Sequence, residues 1–312
     1  MNSSPYLNRQ TIEKILLSAG VFRFGIAKAE KVDCDSVSRY EEWISQGQNA
    51  EMAWMERYSE VRSDPRLLLE DANSLIVCAF PYASPPNQKP GTLRFASYAL
   101  GDDYHSVIRK RLEEAARRIK EEFGGSTRVC VDTAPLRERY WAWRSGVGFI
   151  ARNGLLAIPG AGTRFFLGTI LTSASFSADS PCRENCGDCR LCIDACPGEA
   201  LSGGKLPSLD ARKCRSYLTI EHRGALPENL RLGNNIYGCD ICQNVCPFNT
   251  VTPQPLHEFT PRKKILQLTP DDISTMTEEE YRRLFRNSAI RRAPLSILKR
   301  NLLSTATNSH IR

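Results

Sequence analysis

The sequence predicts an α+β protein in three parts. A layered α/β domain should occupy residues 1–175, a cysteine-rich domain holding two iron–sulfur clusters residues 176–252, and a short helical, basic segment residues 253–312. Three observations lead there. Strand-like and helix-like stretches alternate through the first 175 residues. Eight of the twelve cysteines fall in two short runs plus one outlier. Beyond residue 253 the apolar spacing is helical and the charge is mostly basic.

The elements follow in order. Residues 8–20 read as a helix, with Ile12, Ile15 and Leu16 on one face and Gly20 as its stop. Residues 74–80 (SLIVCAF) are a short apolar run rich in β formers, ended by Pro81 and the turn-rich ASPPNQKPG, and read as a buried strand. Residues 102–123 form a long amphipathic helix with Ile108, Leu112, Ala115, Ile119 and Phe123 as its stripe, closed by Gly124 and Gly125. RVCVDT (128–133) reads as a second buried strand, and 155–159 and 164–172 as strands separated by a Gly-Ala-Gly turn. Helices are expected over 277–285 and 294–303. Cys78 and Cys130, inside strands, read as small buried apolar residues.

The cysteine runs are Cys186-x2-Cys189-x2-Cys192-x3-Cys196-Pro197 and Cys239-x2-Cys242-x3-Cys246-Pro247, with Cys214 between them. Thiolates at x2 intervals on a tight loop grip corners of one cubane, and the cysteine before proline reaches the other cluster. Cluster one then takes Cys186, Cys189, Cys192 and Cys246. Cluster two takes Cys239, Cys242 and Cys196, and lacks one ligand. Cys214 is assigned to it, because Cys182 sits against the first run. Zinc fits poorly, since structural zinc sites favour two separated pairs. A disulfide framework fits worse, with clustered thiols and no export signal.

The 312 residues suffice for two domains with proper cores. No apolar run approaches the roughly 20 residues needed to cross a bilayer, and a cytoplasmic setting is expected. Net charge is +7, and residues 257–312 carry eleven Lys or Arg against six Asp or Glu. That segment is either a phosphate-binding surface or a solvated helical face.

No G-x-G-x-x-G follows a strand, so a nicotinamide site is unsupported. Asp103-Tyr104-His105 begins like a D-x-H-x-x-G cobalamin box, but Ile108 stands in the glycine's place. A cobalt cofactor would therefore lack a lower histidine. Asp132, at the end of a strand, has two readings: a carboxyl at a ligand crevice, whose buried acid form could donate a proton, or, with Thr133, the cap of a helix starting near Pro135. The residues alone favour the cap.

Several stretches resemble the epoxyqueuosine reductases, tRNA-modifying enzymes of queuosine synthesis. They are residues 49–57, SYALGDDYH (97–105), VDTAPLRER (131–139), GVGFIARNGLL (146–156), the first cysteine run, CRSYLTIE (214–221), NNIYGCDICQNVCPFN (234–249) and FRNSAIRR…LKRN (285–301). The resemblance implies a nitroreductase-like cobalamin-binding domain followed by a ferredoxin-like domain with two 4Fe–4S clusters, and reduction of the epoxide of epoxyqueuosine at the tRNA wobble position. It makes Asp132 the proton donor and Cys214 the extra ligand of cluster two. It places Arg57, Tyr98, Asn153, Thr163, Ser216 and Asp240, with Asp132, around base-off cobalamin. The implied partners are a tRNA anticodon stem-loop carrying epoxyqueuosine and an external ferredoxin- or flavodoxin-type electron donor, with no membrane and a monomeric chain. Arg282, Arg283, Arg291, Arg292, Lys299 and Arg300 become candidate phosphate contacts. The chain departs from the pattern at Arg152, where a lysine is common, and at Thr169, where an acid is common; the helical-repeat extension of some relatives is not expected. Competing readings are a ferredoxin-type electron-transfer protein, another cobalamin and iron–sulfur reductase such as a reductive dehalogenase, and a non-catalytic RNA-binding protein with structural clusters.

Overall fold

The computed structural model describes residues 5–82, 92–203, 208–228, 230, 232–251 and 253–306. The turn-rich stretch after Tyr82, and Arg312 of the basic segment, lie outside the described residues. The strands are β1 (Arg23–Lys28), β2 (Ser74–Pro81), β3 (Arg94–Phe95), β4 (Thr127–Cys130), β5 (Phe149–Ile150), β6 (Leu156–Ala157), β7 (Phe165–Thr172) and β8 (Asn235–Tyr237). The helices are α1 (Pro5–Ser18), α2 (Cys34–Ser45), α3 (Ser59–Ser63), α4 (Tyr104–Phe123), α5 (Glu138–Arg144), α6 (Leu191–Asp194), α7 (Arg215–Ile220), α8 (Ile241–Asn244), α9 (Lys263–Leu266), α10 (Pro270–Thr275), α11 (Glu278–Leu284) and α12 (Leu295–Ala306).

The main sheet has the order β1-β2-β7-β4, and every pair in it is antiparallel. Its central strand β2 is buried throughout. Ile76, Cys78 and Phe80 point to one face, where Ile12 and Leu16 of α1 and Ile108, Leu112 and Ile119 of α4 cover them. Leu75, Val77 and Ala79 point to the other, against Trp141 and Tyr140 of α5. That alternation is the period-2 geometry of a strand covered on both faces. Gly168 in β7 lets α4 lie close, since a Cβ there would meet Leu112 Cδ1 at 2.5 Å.

Three expectations are corrected. The strand expected over 128–133 ends at Cys130, and Asp132 turns away with φ of +50°. The strand expected over 155–159 shrinks to β6, which pairs with β5 instead of joining the main sheet. Neither Asp132 nor Thr133 caps a helix: α5 begins at Glu138 with Arg137 at its cap position and no side-chain cap bond.

The three stretches are knitted together. β3 pairs in parallel with β8. One apolar cluster draws on Leu93, Phe95 and Leu100, on Ile220, Ile236 and Tyr237, and on Phe285, Ile290 and Leu298. In α12 the fully buried Asn301 donates from Nδ2 to Thr219 O and Ile236 O, both at 2.9 Å. Arg300 donates to Leu218 O, His222 O and Gly224 O. Together they clamp α7 and β8. Among the described residues, no helix is long and apolar enough to cross a membrane.

Candidate active site and cluster-binding centre

Asp103 caps α4 by accepting the His105 N–H at 3.1 Å. That places His105 in the first turn, its ring stacked on Tyr104 at 4.0 Å, with Tyr104 stacked in turn on Phe166 at 4.4 Å. The His105 ring is held at both nitrogens: Nδ1 lies 2.7 Å from Asp103 Oδ1 and Nε2 lies 2.8 Å from Asp132 Oδ2. Residues 27 positions apart thus form one carboxylate–imidazole–carboxylate chain. The Asp132 side chain keeps 42% of its exposure, so the chain ends at an open face.

Burial disfavours the imidazolium, but the flanking Asp103 and Asp132 carboxylates win and raise His105 to about 9. Burial likewise pushes the Asp132 carboxyl up, yet the hydrogen bond and charge of His105, with Arg292 behind, hold it below the usual carboxylate range. At neutral pH the proton of this pair therefore rests on the imidazole. Glu138 differs. Burial first, and the Asp132 charge second, raise it to about 8. It accepts the Asp132 N–H at Oε1, 2.9 Å away, and so braces the left-handed backbone there. Sequence reasoning missed His105 and Glu138. Their signals, the incomplete box and the acid in VDTAPLRER, were on the page, but their meeting at Asp132 is a product of the fold.

The other cofactor candidates separate by surroundings. Tyr98 is half-buried, edge-on to Tyr104 and 3.4 Å from the Tyr237 hydroxyl. Asp240 accepts from Ser97 N at 2.7 Å and from Ser97 Oγ at 2.5 Å. Asn153 and Thr163 are buried. Asn153 bridges to Cys242 O, and Thr163 is tied to Gln243 and Asn249. Their side chains join the sheet domain to the second cysteine run. Arg57 is exposed on the loop carrying Trp54 and Tyr58. The Trp54 ring lies 5.3 Å from the Arg292 guanidinium, whose charge reaches Asp132.

Each cysteine run opens onto a single turn of helix, α6 and α8, which pack on one another. The thiols act on each other mostly in two sets, joined where Cys242 also responds to Cys192. Cys192 responds to Cys186, Cys246 and Cys189, and Cys246 to Cys186 and Cys189. Cys214 responds to Cys196, and Cys239 and Cys242 to Cys214. Among the described residues no three His, Cys, Asp or Glu side chains converge on one ion. Burial pushes the Cys192, Cys214, Cys239, Cys242 and Cys246 thiols up, Cys239 to about 11, so iron binding must displace their protons. Backbone donors already face the sulfurs, Arg152 N to Cys186 Sγ and Ala200 N to Cys196 Sγ, both at 3.4 Å. Soft donors in fours, with amides aimed at them, fit cubane clusters.

Two of the candidate phosphate contacts are engaged within the chain. Arg300 holds the three carbonyls named above, and Arg292 pairs with Glu221 and stacks over Trp54. Arg282, Arg283 and Arg291 remain exposed, and Lys299 is partly so. Lys263, Lys264 and Arg283 line an open recess of about 650 Å³ between α9, α10 and α11.

Comparison with known proteins agrees with this architecture. The family model described as a 4Fe-4S double cluster binding domain matches residues 185–249, and the model described as Epoxyqueuosine reductase QueG, DUF1730, matches residues 62–133. The epoxyqueuosine reductase of Synechococcus sp. (strain CC9605) is 39% identical over 96% of this chain and 92% of its own. That of Cellulophaga algicola is 35% identical over 91% and 93%. A crystal structure of epoxyqueuosine reductase with an epoxyqueuosine-modified tRNA-Tyr stem loop superposes with a TM-score of 0.87 at 30% identity, covering 97% of this chain and 81% of the other. The Bacillus subtilis enzyme, solved with its catalytic aspartate loop swung out of the active site, gives 0.85 at 29%, covering 97% and 82%. With identity of 35% or more over at least nine-tenths of the chain, the chain belongs to the epoxyqueuosine reductase family.

Proposed function

We propose that the cleft at Asp132 is where this chain, an oxidoreductase of that family, reduces the epoxide of epoxyqueuosine in a tRNA wobble position to the alkene of queuosine. The observation that carries the reading is the Asp103–His105–Asp132 chain, a stored proton ending at an exposed carboxylate. Removing the epoxide oxygen as water takes two electrons and two protons. An alkoxide leaves poorly and a hydroxyl acceptably, so the oxygen needs a proton as its bond to carbon breaks. A nucleoside seated over Asp132 would exclude water, and low dielectric favours the neutral pair over the ion pair. The proton then moves from His105 Nε2 to Asp132 Oδ2, and from there to the departing oxygen. Asp103 holds the ring in place and Glu138 holds the loop.

Electrons would enter from an external ferredoxin- or flavodoxin-type donor. We assign Cys186, Cys189, Cys192 and Cys246 to the first 4Fe–4S cluster and Cys196, Cys214, Cys239 and Cys242 to the second. Base-off cobalamin, when bound, would supply a low-valent metal centre for opening the epoxide. Arg57, Tyr98, Ser216 and Asp132 would border it, with Asn153, Thr163 and Asp240 shaping the seam behind. Both His105 nitrogens face carboxylates, so this histidine would keep its proton-handling role with the cofactor bound.

The division of labour is then residues 1–175 for the reaction cleft, 176–252 for the clusters and 253–312 for RNA, in a monomeric, cytoplasmic chain. Lys263, Lys264, Arg282, Arg283 and Arg291 are the phosphate contacts we favour. The test is Asp132→Asn in anaerobic, cluster-loaded protein. Iron and corrinoid content should stay at the parent level while turnover of an epoxyqueuosine stem-loop falls at least ~100-fold. Turnover near that of the parent would remove the acid role.

A further inference from the structure

Arg215 opens α7, between Cys214 and Ser216. Its backbone is fixed, because Thr219 Oγ1 donates to its carbonyl at 2.7 Å and Arg300 and Asn301 hold the end of the same helix. Its Nε is buried, yet has no hydrogen-bond partner among the described residues. The charges that act on the guanidinium are the sulfurs of Cys239 and Cys196, with no carboxylate among them. A buried guanidinium N–H without an acceptor is costly, and two neighbouring arginines have carboxylate partners instead. Arg292 meets Glu221, and Arg212 meets Asp210 at 2.8 Å.

We infer that Arg215 is a redox-tuning residue of the second cluster, its Nε–H donating to a cluster sulfur and its charge stabilising the reduced state. The inference rests on the two-cluster reading above. A cubane held by four thiolates is negative overall and gains a further negative charge on reduction, so an adjacent fixed cation and an N–H···S bond both favour the added electron. With an acceptor supplied by the cluster, the buried Nε is satisfied and the influence of the Cys239 and Cys196 sulfurs on it is accounted for. The electron would come from the external donor named above, and no bond is made or broken. Raising the potential of the second cluster makes it the downhill stop for that electron, beside the candidate cofactor residue Ser216. Arg215 acts through the cluster and has no contact with substrate in this role.

The experiment is anaerobic potentiometric titration of the cluster-loaded protein, followed by electron paramagnetic resonance, with iron counted on the same samples. Arg215→Lys keeps the charge but loses the planar Nε–H donor, and Arg215→Gln loses the charge. One of the two one-electron waves should move to lower potential, with the parent highest, Lys between and Gln lowest. The reduction equilibrium of that wave should weaken at least tenfold in Gln, which is 59 mV for one electron. The other wave should stay in place. A Gln variant with full iron and both waves at the parent's potentials overturns the inference, and so do two waves shifted equally. If Gln sheds iron, Lys decides, and an unmoved wave there overturns it. Parent protein without two clusters would instead sink the cluster reading itself, an outcome visible in the iron count before any potential is measured.

Discussion

Replacing Glu138 by Gln isolates the one acid of the cleft that holds its proton near neutrality. Gln has the same size, keeps a carbonyl oxygen for the Asp132 N–H, and never ionises. In the unfolded chain the Glu138 carboxyl gives up its proton near 4.5, and in the folded chain near 8. Between those values the folded state holds one proton more than the unfolded state. Stability from this group is therefore full below 4.5 and falls as pH rises, by about 1.4 kcal/mol per pH unit, until about 8. At pH 7 the parent has lost about 3 kcal/mol on this account, and the Gln variant nothing. Activity should follow on the alkaline side. Above pH 8 an ionised Glu138 lies against the Asp132 carboxylate, and like charges with water drawn between them loosen the loop. The assay is kcat/KM on an epoxyqueuosine stem-loop from pH 6 to 10, anaerobically. The parent should decline with an apparent pKa near 8, and the Gln variant near 9, where His105 loses its proton. At pH 9 the parent then retains roughly a twentieth of its plateau and the variant roughly half. Coincident alkaline limbs would refute the assignment of that limb to Glu138.

Two further outcomes are expected. Asn301→Ala leaves the Thr219 and Ile236 carbonyls unpaired in a fully buried position, which should cost about 2–4 kcal/mol; denaturant unfolding reads it, and iron should be lost faster on anaerobic dilution because α7 loosens beside Cys214. Changing Lys263, Lys264 and Arg283 together to Ala should reduce the slope of log affinity against log salt for the tRNA stem-loop by about 2 to 3, and an unchanged slope would mean that the recess they line faces away from RNA.

Much of the architecture was legible because its signals are local or arithmetical. The α4 stripe from Ile108 to Ile119 is a 3.6-residue pattern, and β2 is an apolar run between turn residues. The cysteine spacing carries the expectation of two clusters directly, and the family model of a 4Fe-4S double cluster binding domain covers the same stretch. Asp132 was found for a reason that does not hold. The crevice rule concerns parallel sheets, and the main sheet here is antiparallel. The carboxylate reaches the cleft because the chain leaves β4 at Cys130 and turns left-handed, braced by Glu138. His105 was unreadable for a related reason: its partner lies 27 residues away, and an aborted motif drew the eye instead. Arg292 and Arg300 show the limit of counting charge. Both are cations in a basic segment, yet one is taken up by Glu221 and Trp54 and the other by three carbonyls, contacts set by packing and invisible to composition.

The clamp made by Arg300 and Asn301 has a consequence for assembly during synthesis. All eight candidate ligand thiols leave the ribosome before α12, which secures the helix next to Cys214 and the strand ahead of Cys239. A nascent chain therefore exposes its sulfurs while their seat is still open, and delivery of iron and sulfide is best matched to the moment the final helix docks. Premature termination upstream of residue 295 would leave a polypeptide with every candidate ligand present and no firm place to hold a cubane.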